Sequence, residues 1–358
     1  MDILSYKPPI PEDKSLRIGI VGAGEIVREA HLPAYQKAGF KVVAIYNRTR
    51  SRAEELAEKF DIPYVLDSIE ELVNHPEVDI VDIALTAEMQ LSVVELAAKA
   101  KKHILCQKPL ADTFENAKKI VDIGKKYNVK IAVNQQMRWA PSIRAASDII
   151  SRGWIGELVS ASIQVNVLTQ FENWPFLKEI DTLEIMYHSI HYMDSIRFLY
   201  GTPEYIYADG ARFPGQNVKG ETRTMIHMKF PGEVRGLIYD THNNQFTQDD
   251  WYAVYRFEGT EGVIKGENGA LYNYPIGRED SLTFTSNILQ KGTWINPKLE
   301  GKWFPDAFIG TMGELMNAIL NDSQPENSAE DNLKTLQMVY ASYQSMKENR
   351  PVYLEEIN

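Results

Sequence analysis

The chain is short of cysteine and of long apolar runs, and each shortage excludes a class of protein. It has one cysteine, Cys106, in 358 residues, so neither an internal disulfide nor a zinc framework of cysteines can form. No run approaches the roughly 18 apolar residues of a membrane span. Residues 1–15 are polar and broken by proline, so we expect no signal sequence and no membrane partner. These features predict a cytoplasmic protein, with Cys106 packed in the interior and not acting as a nucleophile.

Positive charge is also scarce. The chain has 38 Lys and Arg against 49 Asp and Glu, a formal net charge of −11. Such a surface repels phosphate backbones, so we expect no nucleic-acid partner. Hydrophobic residues make up 44% of the chain and charged residues 24%, close to the average of globular domains, so a well-buried core is expected. A chain of this length predicts two domains.

Apolar strands alternate with helical patterns through the first part of the chain. The strand segments are 16-LRIGIVG, 41-KVVAIYN, 79-DIVDIAL, 103-HILC and 129-VKIAVN. This alternation predicts a parallel sheet covered on both faces. We therefore expect residues 1–137 to form a doubly wound Rossmann domain, with residues 1–15 as an N-terminal arm.

The pattern changes past about residue 140, where apolar and polar residues alternate with period two. The segments are 157-ELVSASIQVNVL, 222-TRTMIHMKF, 233-EVRGLIYD and 252-YAVYRFEG. Period-two alternation is typical of an antiparallel sheet with one packed face and one open face. With helices expected at about 184–200, 308–320 and 330–347, residues 138–358 are predicted to form an α+β domain with a large open, mostly antiparallel sheet. An uncovered sheet face favours a homodimer or homotetramer.

The first strand runs into the glycine turn 22-GAGEIV. Gly22 would allow the tight turn, and Gly24 would let the backbone approach a pyrophosphate at the start of the following helix. Glu25 and Ile26, which follow Gly24, are also expected to contact the cofactor. The third position of the usual fingerprint is Val27 in place of Gly or Ala. This turn predicts dinucleotide binding; the alternative is a structural turn in another doubly wound protein.

The end of the second strand bears on the choice between NAD and NADP. The chain has 47-NRTR there, whereas an NAD enzyme usually has Asp or Glu to hold the ribose hydroxyls. With Asn47 in that place, Arg48 and Arg50 could clamp a 2′-phosphate. The sequence therefore favours NADP over NAD, although both arginines could simply belong to a solvated helix start.

The order of several short motifs is similar to that of a known family. They are the glycine turn, 31-HLPA, 106-CQKPL, 138-RWAP and 191-HYMDSIRFLYG. In this order they resemble the glucose–fructose oxidoreductase, inositol dehydrogenase and rhizopine-catabolism (Gfo/Idh/MocA) family, over most of the chain. The resemblance implies a Rossmann domain and a substrate-binding and oligomerisation domain. It also implies hydride transfer between NAD or NADP and a hydroxyl carbon of a sugar, polyol or related ring compound.

The chain departs from this family at several positions. The usual E-K-P is Gln107, Lys108 and Pro109, and the usual T-P-N-x-x-H is 86-TAEMQL, which keeps only Thr86. By resemblance Thr86, Gln107 and Lys108 would contact the cofactor.

Catalytic roles also follow from the resemblance. Lys108 would touch the substrate oxygen, and the positively charged nicotinamide ring would lower its pKa. His191 matches the family's retained histidine, whereas Tyr187 stands where the family has a catalytic aspartate. His188 is an addition that the common pattern lacks. We expect His188 and Tyr187 to rebuild the proton relay beside His191.

The stretch 184-EIMYHSIHYMD allows three interpretations. On a regular helix Glu184, His188 and His191 share one face at i, i+4 and i+7. That face could be a proton-relay or substrate-binding site, a metal site, or ordinary packing. The first is favoured, and no metal is expected, since the family generally needs none.

Three further segments are candidates for substrate contacts. Arg138 could face the site or form an interdomain salt bridge. Trp174 could line a sugar pocket or belong to the core. The segment 241-THNNQ is dense in donors and acceptors, as a hydroxyl-rich ligand requires, but could equally be a polar loop.

An oxidoreductase is the favoured function, and a non-catalytic NAD(P)-binding regulator of the same fold is the alternative. The losses at Gln107 and Tyr187 favour the regulator, while retention of Lys108 and His191 favours the enzyme. Fold alone does not decide between the two.

Overall fold

A computed structural model describes residues 4–274 and 276–358, so the first three residues of the predicted arm lie outside it. The described chain divides into two compact units. The parallel-sheet unit comprises Pro8–Gln136 and Phe304–Leu333. The open-sheet unit comprises Met137–Trp303 and Lys334–Asn358, with the segment that ends at Lys7.

The strands, in chain order, are β1 (Arg17–Val21), β2 (Lys41–Tyr46), β3 (Tyr64–Val65), β4 (Ile80–Ile83), β5 (His103–Cys106), β6 (Ile131–Val133), β7 (Leu158–Asn166), β8 (Tyr205–Ala211), β9 (Arg223–Lys229), β10 (Arg235–Thr241), β11 (Tyr252–Gly259), β12 (Gly262–Glu267), β13 (Ser281–Ser286), β14 (Gln290–Ile295) and β15 (Val352–Tyr353). The α-helices are α1 (Leu32–Ala38), α2 (Arg50–Phe60), α3 (Ile69–Asn74), α4 (Ala87–Lys99), α5 (Phe114–Tyr127), α6 (Pro141–Ser151), α7 (Ile190–Tyr200), α8 (Asp306–Leu320) and α9 (Ala329–Glu348). Two π-helical turns, Val27–His31 and Ile185–Ser189, precede α1 and α7. Among the described helices, none is both long and apolar enough to cross a membrane.

The parallel-sheet unit holds six strands in the order β3-β2-β1-β4-β5-β6, all of them parallel. The order reverses between β1 and β4, and in such sheets ligands bind outside the carboxyl ends of the strands at this switch point. Strand β4 is buried along its whole length, as expected for a strand covered on both faces. The predicted Rossmann architecture is confirmed.

Helix α8 belongs to the parallel-sheet unit, although the sequence predicts one boundary at residues 137/138. Its apolar residues Phe308, Met312 and Leu315 are buried in the same core cluster as Ile18 and Tyr35. Burial of this helix stripe explains why the chain returns to the first unit. The boundary was predicted from the change in hydrophobic period along the chain, and that change does not show that a later helix packs against the first unit.

The open-sheet unit holds nine strands in the order β14-β13-β12-β11-β7-β10-β9-β8-β15. Neighbours are antiparallel except β7 and β10, which run parallel. Burial alternates along β9 and β10 with period two, so one face packs and the other is open. The predicted mostly antiparallel sheet is confirmed. The one parallel pair was not predicted, because alternation fixes which side chains are buried and not the direction of the neighbouring strand.

Candidate functional site

The glycine turn after β1 leaves room for a ligand at its second glycine. Gly22 has φ +116°, and a Cβ there would lie 2.5 Å from the Ala84 carbonyl oxygen, so the turn requires glycine at this position. Apart from its neighbours along the chain, no atom of the described residues lies within 4 Å of a Cβ placed on Gly24. Glu25 is exposed and Ile26 packs partly against the core. This arrangement fits the close approach of a pyrophosphate to the backbone at Gly24.

Asn47 ties the end of β2 to this turn. Its Oδ1 accepts a hydrogen bond from Ala23 N at 3.1 Å, and its Nδ2 donates to the Thr49 carbonyl at 2.9 Å. Arg50 is held by Glu54 and by Asp67. Arg48 is exposed, and within residues 4–274 and 276–358 no carboxylate lies within ion-pair distance of it. Of the two predicted phosphate contacts, Arg48 is therefore the more available.

The loop after β5 presents Lys108 at the carboxyl edge of the parallel sheet. The buried Gln90 side chain donates from Nε2 to the carbonyls of Gln107 and Pro109 at 2.8 and 2.7 Å. Gln107 Oε1 accepts from the Lys108 backbone N–H at 3.0 Å. Burial lowers the pKa of Lys108 to about 7. A lysine with that pKa exchanges a proton readily near neutral pH.

Other residues at this edge occupy separate positions. Thr86 precedes α4 as its N-cap residue. Cys106 ends β5 as a buried free thiol, and burial raises its pKa, which makes it a poor nucleophile.

A buried hydrogen-bond network lies behind Gln107, and the sequence did not indicate it beyond the motif 31-HLPA. His31 Nδ1 donates to Asp82 Oδ2 at 2.7 Å, and Tyr35 Oη donates to the same oxygen at 2.7 Å. His31 Nε2 then accepts from Asn134 Nδ2 at 3.2 Å, and Gln107 Nε2 lies 3.5 Å from it. These partners assign the ring proton of neutral His31 to Nδ1. The network orients Gln107, which in turn holds the Lys108 backbone.

A π-helical turn separates Glu184 from α7 in the open-sheet unit. Ile190 N donates to the Ile185 carbonyl, five positions earlier, so the turn holds one residue more than an α-helical turn. The extra residue rotates the side chains of α7 about the helix axis by about 100°. The predicted shared face of Glu184, His188 and His191 is therefore wrong as a three-ligand set.

A different group of acidic and imidazole side chains meets here. His242 Nδ1 lies 2.6 Å from Glu184 Oε1 and 3.2 Å from Asp240 Oδ1. The rings of His188 and His242 stack with centroids 3.8 Å apart, and His188 Nδ1 lies 3.3 Å from Glu184 Oε1. Ser189 Oγ donates to Asp240 Oδ2 at 2.6 Å. We call Glu184, His188, Asp240 and His242 the acid–imidazole cluster.

Burial and charge act in opposite directions within this cluster. Burial opposes protonation of His242, but Asp240 and Glu184 together raise its pKa to about 10. Burial raises the pKa of Glu184, against the effect of His242. Burial also raises the pKa of Asp240, with a further contribution from Glu184. Asp240 and His242 were not among the predicted site residues; the density of polar residues in 241-THNNQ was the available signal.

The other predicted residues of this region lie around the cluster in different ways. His191 is buried and meets Trp303 edge-on, with ring centroids 5.2 Å apart. Tyr187 meets Phe176 edge-on at 5.8 Å. Tyr187 and Trp174 are both half-buried and pack against one small apolar cluster. The structure thus brings His188 into the acid–imidazole cluster and places Tyr187 with Trp174.

Arg138 is held in a buried ion pair. Its Nε and a terminal nitrogen donate to the two carboxylate oxygens of Asp194 at 2.6 and 2.8 Å. Both residues belong to the open-sheet unit, so the ion pair lies within one unit and is not the interdomain bridge considered from the sequence.

A cavity of about 390 Å³ opens in the open-sheet unit. Its lining includes Thr169, Phe171, Asn243 and Gln245, so two members of 241-THNNQ face it. Phe171 lies 6.5 Å, ring to ring, from His188. Hydroxyl, amide and aromatic groups around one cavity suit a small polar ligand with apolar C–H faces.

Two family models match the chain. The model described as "Oxidoreductase family, NAD-binding Rossmann fold" (GFO_IDH_MocA) matches residues 16–135. The model of the GFO/IDH/MocA C-terminal domain matches residues 143–265. Together they cover the parallel sheet and the open sheet from β7 into β12.

Relatives and solved structures agree with this match. The chain is 25% identical over 347 residues to a D-apiose dehydrogenase of Paraburkholderia graminis, covering 96% of this chain and 91% of that protein. An oxidoreductase from Agrobacterium radiobacter, solved with NAD+, L-tartaric acid and magnesium, superposes with a TM-score of 0.85 at 23% identity, over 96% of this chain and 100% of that one. A levoglucosan dehydrogenase, solved with NADH and L-sorbose, superposes with a TM-score of 0.82 at 22% identity, over 96% and 99%. The structural likenesses show the fold.

Proposed function

The chain belongs to the Gfo/Idh/MocA family of oxidoreductases, and we propose that it acts on a hydroxyl or carbonyl carbon of a sugar, a polyol or a related ring compound. A relative that aligns over nearly the whole chain is named a dehydrogenase of the sugar D-apiose, which supports an enzyme over a non-catalytic regulator. Small hydroxyl-rich molecules are the proposed ligands of the open-sheet unit.

The position of Lys108 and its lowered pKa are the observations that support this proposal most directly. The bound nicotinamide supplies the hydride chemistry, and the protein must take up or release the hydroxyl proton. Lys108 lies at the carboxyl edge of the parallel sheet, its backbone is held by Gln107, and burial brings its pKa to about 7. A neutral Lys108 Nζ can accept the proton during oxidation of the alcohol and return it during reduction of the carbonyl.

We assign supporting roles to residues at the start of α7. His191 is proposed to take part in passing the proton, and His188 and Tyr187 are proposed to assist. His188 is in contact with Glu184 and His242, so it could pass a proton on to these titratable groups. Arg138 and Trp174 remain proposed substrate-side residues. Packing of Trp174 beside Tyr187 supports that role for Trp174, whereas the ion pair with Asp194 makes Arg138 the weaker candidate.

The cofactor is a nicotinamide dinucleotide, and we propose a preference for NADP. The open space at Gly24 and the N-cap position of Thr86 support a dinucleotide at this edge. Asn47 adds no negative charge at the end of β2, and the exposed Arg48 is the proposed contact of the 2′-phosphate. Because Glu54 and Asp67 already hold Arg50, it contributes less.

Replacement of Lys108 tests the activity. Lys108→Ala is expected to abolish turnover of sugars and polyols while cofactor binding, followed by nicotinamide fluorescence, stays nearly intact. Lys99→Ala changes an exposed lysine of the same unit and should leave both readouts unchanged. Turnover by Lys108→Ala at the wild-type rate would contradict the assignment.

A paired titration with NADPH and NADH tests the cofactor preference. We expect tighter binding of NADPH, and Arg48→Glu should reverse that order. Lys59→Glu makes the same charge change at the far end of α2 and serves as the matched control. Equal affinity of the wild type for both cofactors would remove the NADP proposal without affecting the oxidoreductase assignment.

We also propose an oligomeric state and a cellular location. The open face of the nine-stranded sheet exposes apolar side chains, which supports a homodimer or homotetramer formed through it. A cytoplasmic location is supported by Cys106, which is a free thiol, as is usual in reducing compartments.

A further inference from the structure

The geometry points to a metal site: we propose that Glu184, His188 and His242 bind one divalent transition-metal ion of the zinc type, with Asp240 next to His242. One carboxylate oxygen and one ring nitrogen from each histidine all lie within 4.8 Å of one another. All of these residues belong to the open-sheet unit.

The separations between the candidate ligand atoms are close to those around a tetrahedral ion. Ligands at 2.0–2.2 Å from a tetrahedral zinc lie about 3.3–3.6 Å from each other. His188 Nδ1 is 3.3 Å from Glu184 Oε1, and His242 Nδ1 is 3.2 Å from Asp240 Oδ1. His242 Nδ1 and Glu184 Oε1 are 2.6 Å apart, so this hydrogen bond would open to admit the ion. The stacked rings of His188 and His242 would also have to turn, because an imidazole binds an ion in the plane of its own ring.

The cluster brings two carboxyl groups and two imidazoles together in the protein interior. Glu184 and Asp240 are both fully buried, and burying a carboxylate without compensation costs several kcal/mol by order of magnitude. A divalent cation with two neutral imidazoles would balance both carboxylates.

A second observation concerns the carboxylate oxygen Oε2 of Glu184. Among the described residues, Glu184 Oε2 is buried and has no hydrogen-bond partner, whereas buried carboxylate oxygens are normally satisfied. An ion bound between Glu184 and the histidines would provide a partner for this oxygen. Two imidazoles in the set favour zinc, nickel or copper over magnesium, which prefers oxygen ligands.

The side of the site at His188 lies nearest to the solvent. His188 is the most exposed member of the set, with 15% of its side chain exposed, and it lies next to Phe171 of the cavity wall. A coordination position left open on this side would be filled by water or by a ligand oxygen.

This metal site departs from two sequence-based predictions. The sequence predicts no metal, and the three-ligand set considered from it contains His191. The π-helical turn moves His191 out of the set, and His242, next after β10, replaces it. The proposal does not depend on the oxidoreductase activity, because its test measures metal binding and not turnover.

Titration of the full-length protein, after treatment with a chelator, tests the site. Zn²⁺ should bind saturably at one ion per chain, and Co²⁺ should give the visible absorption of a low-coordinate site with nitrogen ligands. Mg²⁺ should not compete. His188→Ala should weaken Zn²⁺ binding by more than about 100-fold, since even outer-shell partners contribute 10–100-fold.

His188 is chosen because it is partly exposed, so its loss should leave the fold intact by circular dichroism. His242→Ala should abolish binding where the variant folds. His227→Ala, which changes a histidine of β9 in the same unit, is the matched control and should bind like the wild type. The proposal is overturned if wild-type protein binds no Zn²⁺ at one ion per chain, if His188→Ala binds like the wild type, or if Mg²⁺ binds as tightly as Zn²⁺.

Discussion

At the scale of single residues, burial sets the pH range in which Lys108 can accept a proton. A lysine in water has a pKa near 10.4, whereas burial lowers that of Lys108 to about 7. Oxidation of an alcohol requires the neutral amine. We expect kcat/KM for oxidation to fall about tenfold per pH unit below about pH 7 and to level off above it.

The reverse reaction provides the internal control for this pH profile. Reduction of the carbonyl requires protonated Lys108, so its kcat/KM should level off below about pH 7 and fall above it. Both limbs are measured as initial rates against pH. An apparent pKa near 10 in the oxidation profile would show that the working lysine is not the desolvated one described here.

Arg138 and Asp194 illustrate a second effect of burial on single residues. The side chains are 4% and 0% exposed, so Arg138→Met leaves a buried carboxylate with less compensation. Removing one partner of such a pair costs about 3–5 kcal/mol. We expect a loss of about 3 kcal/mol in the free energy of unfolding, at the lower end of that range, because Thr335 still donates to Asp194.

An exposed ion pair is the comparison for Arg138. Lys37, with 61% of its side chain exposed, lies 2.6 Å from Asp306, and Lys37→Met should cost about 1 kcal/mol or less. Both variants are measured by urea denaturation. Equal losses in the free energy of unfolding for the two variants would show that the buried pair does not contribute more to stability than the exposed pair.

The residues of the acid–imidazole cluster differ in how far the sequence could identify them. His188 was a candidate because it departs from a family pattern at a position next to the expected active site. His242 was a candidate only as part of the segment 241-THNNQ and not as a partner of Glu184, because it lies 58 positions from Glu184 and follows directly on the strand β10. Only the packing of the π-helical turn against that strand brings the two together, and no local pattern encodes such a contact.

At the scale of elements, hydrophobic period predicted the two sheets and missed the details that shape the site. Apolar strands separated by amphipathic helices are a local signal, and both the parallel and the open sheet followed from it. The π-helical turn at Ile185–Ser189 was missed because one inserted residue leaves composition and period almost unchanged. The return of α8 to the first unit was missed for a similar reason, since its apolar stripe fits either core.

The glycine turn allows a prediction that separates folding from binding. Gly22→Ala places a methyl group against the Ala84 carbonyl in a left-handed backbone, so it should lower stability by about 1 kcal/mol or more. Gly24→Ala meets open space among the described residues and should leave stability nearly unchanged. If the pyrophosphate lies there, Gly24→Ala should weaken cofactor binding at least tenfold.

Thermal unfolding without cofactor and fluorescence titration with cofactor measure these two effects separately. Gly153→Ala is a control for backbone strain alone, because Gly153 has φ +70° with open space around it and lies in the open-sheet unit. Normal cofactor affinity in Gly24→Ala would rule out close approach of the ligand at this turn.

At the scale of the whole molecule, the open sheet presents an apolar surface with no cover in the described chain. Tyr207, Leu237 and His227 are paired across adjacent strands, and Met225 lies two positions from His227. Paired residues and residues two apart share one face of a sheet. Exposed apolar side chains therefore stand side by side, with 60% of Met225 accessible. A surface of this kind is typical of an interface.

This surface predicts the effect of charge on assembly. The double variant Met225→Glu, Leu237→Glu places two carboxylates in the centre of the patch, where association would bury them without partners, so we expect a homodimer or homotetramer to dissociate to monomers. Light scattering after size-exclusion chromatography measures the mass, and circular dichroism checks the fold. Leu320→Glu, an equally exposed leucine at the end of α8, should keep the wild-type mass. A monomeric wild type, or a double variant with the wild-type mass, would show that the open sheet is not the interface.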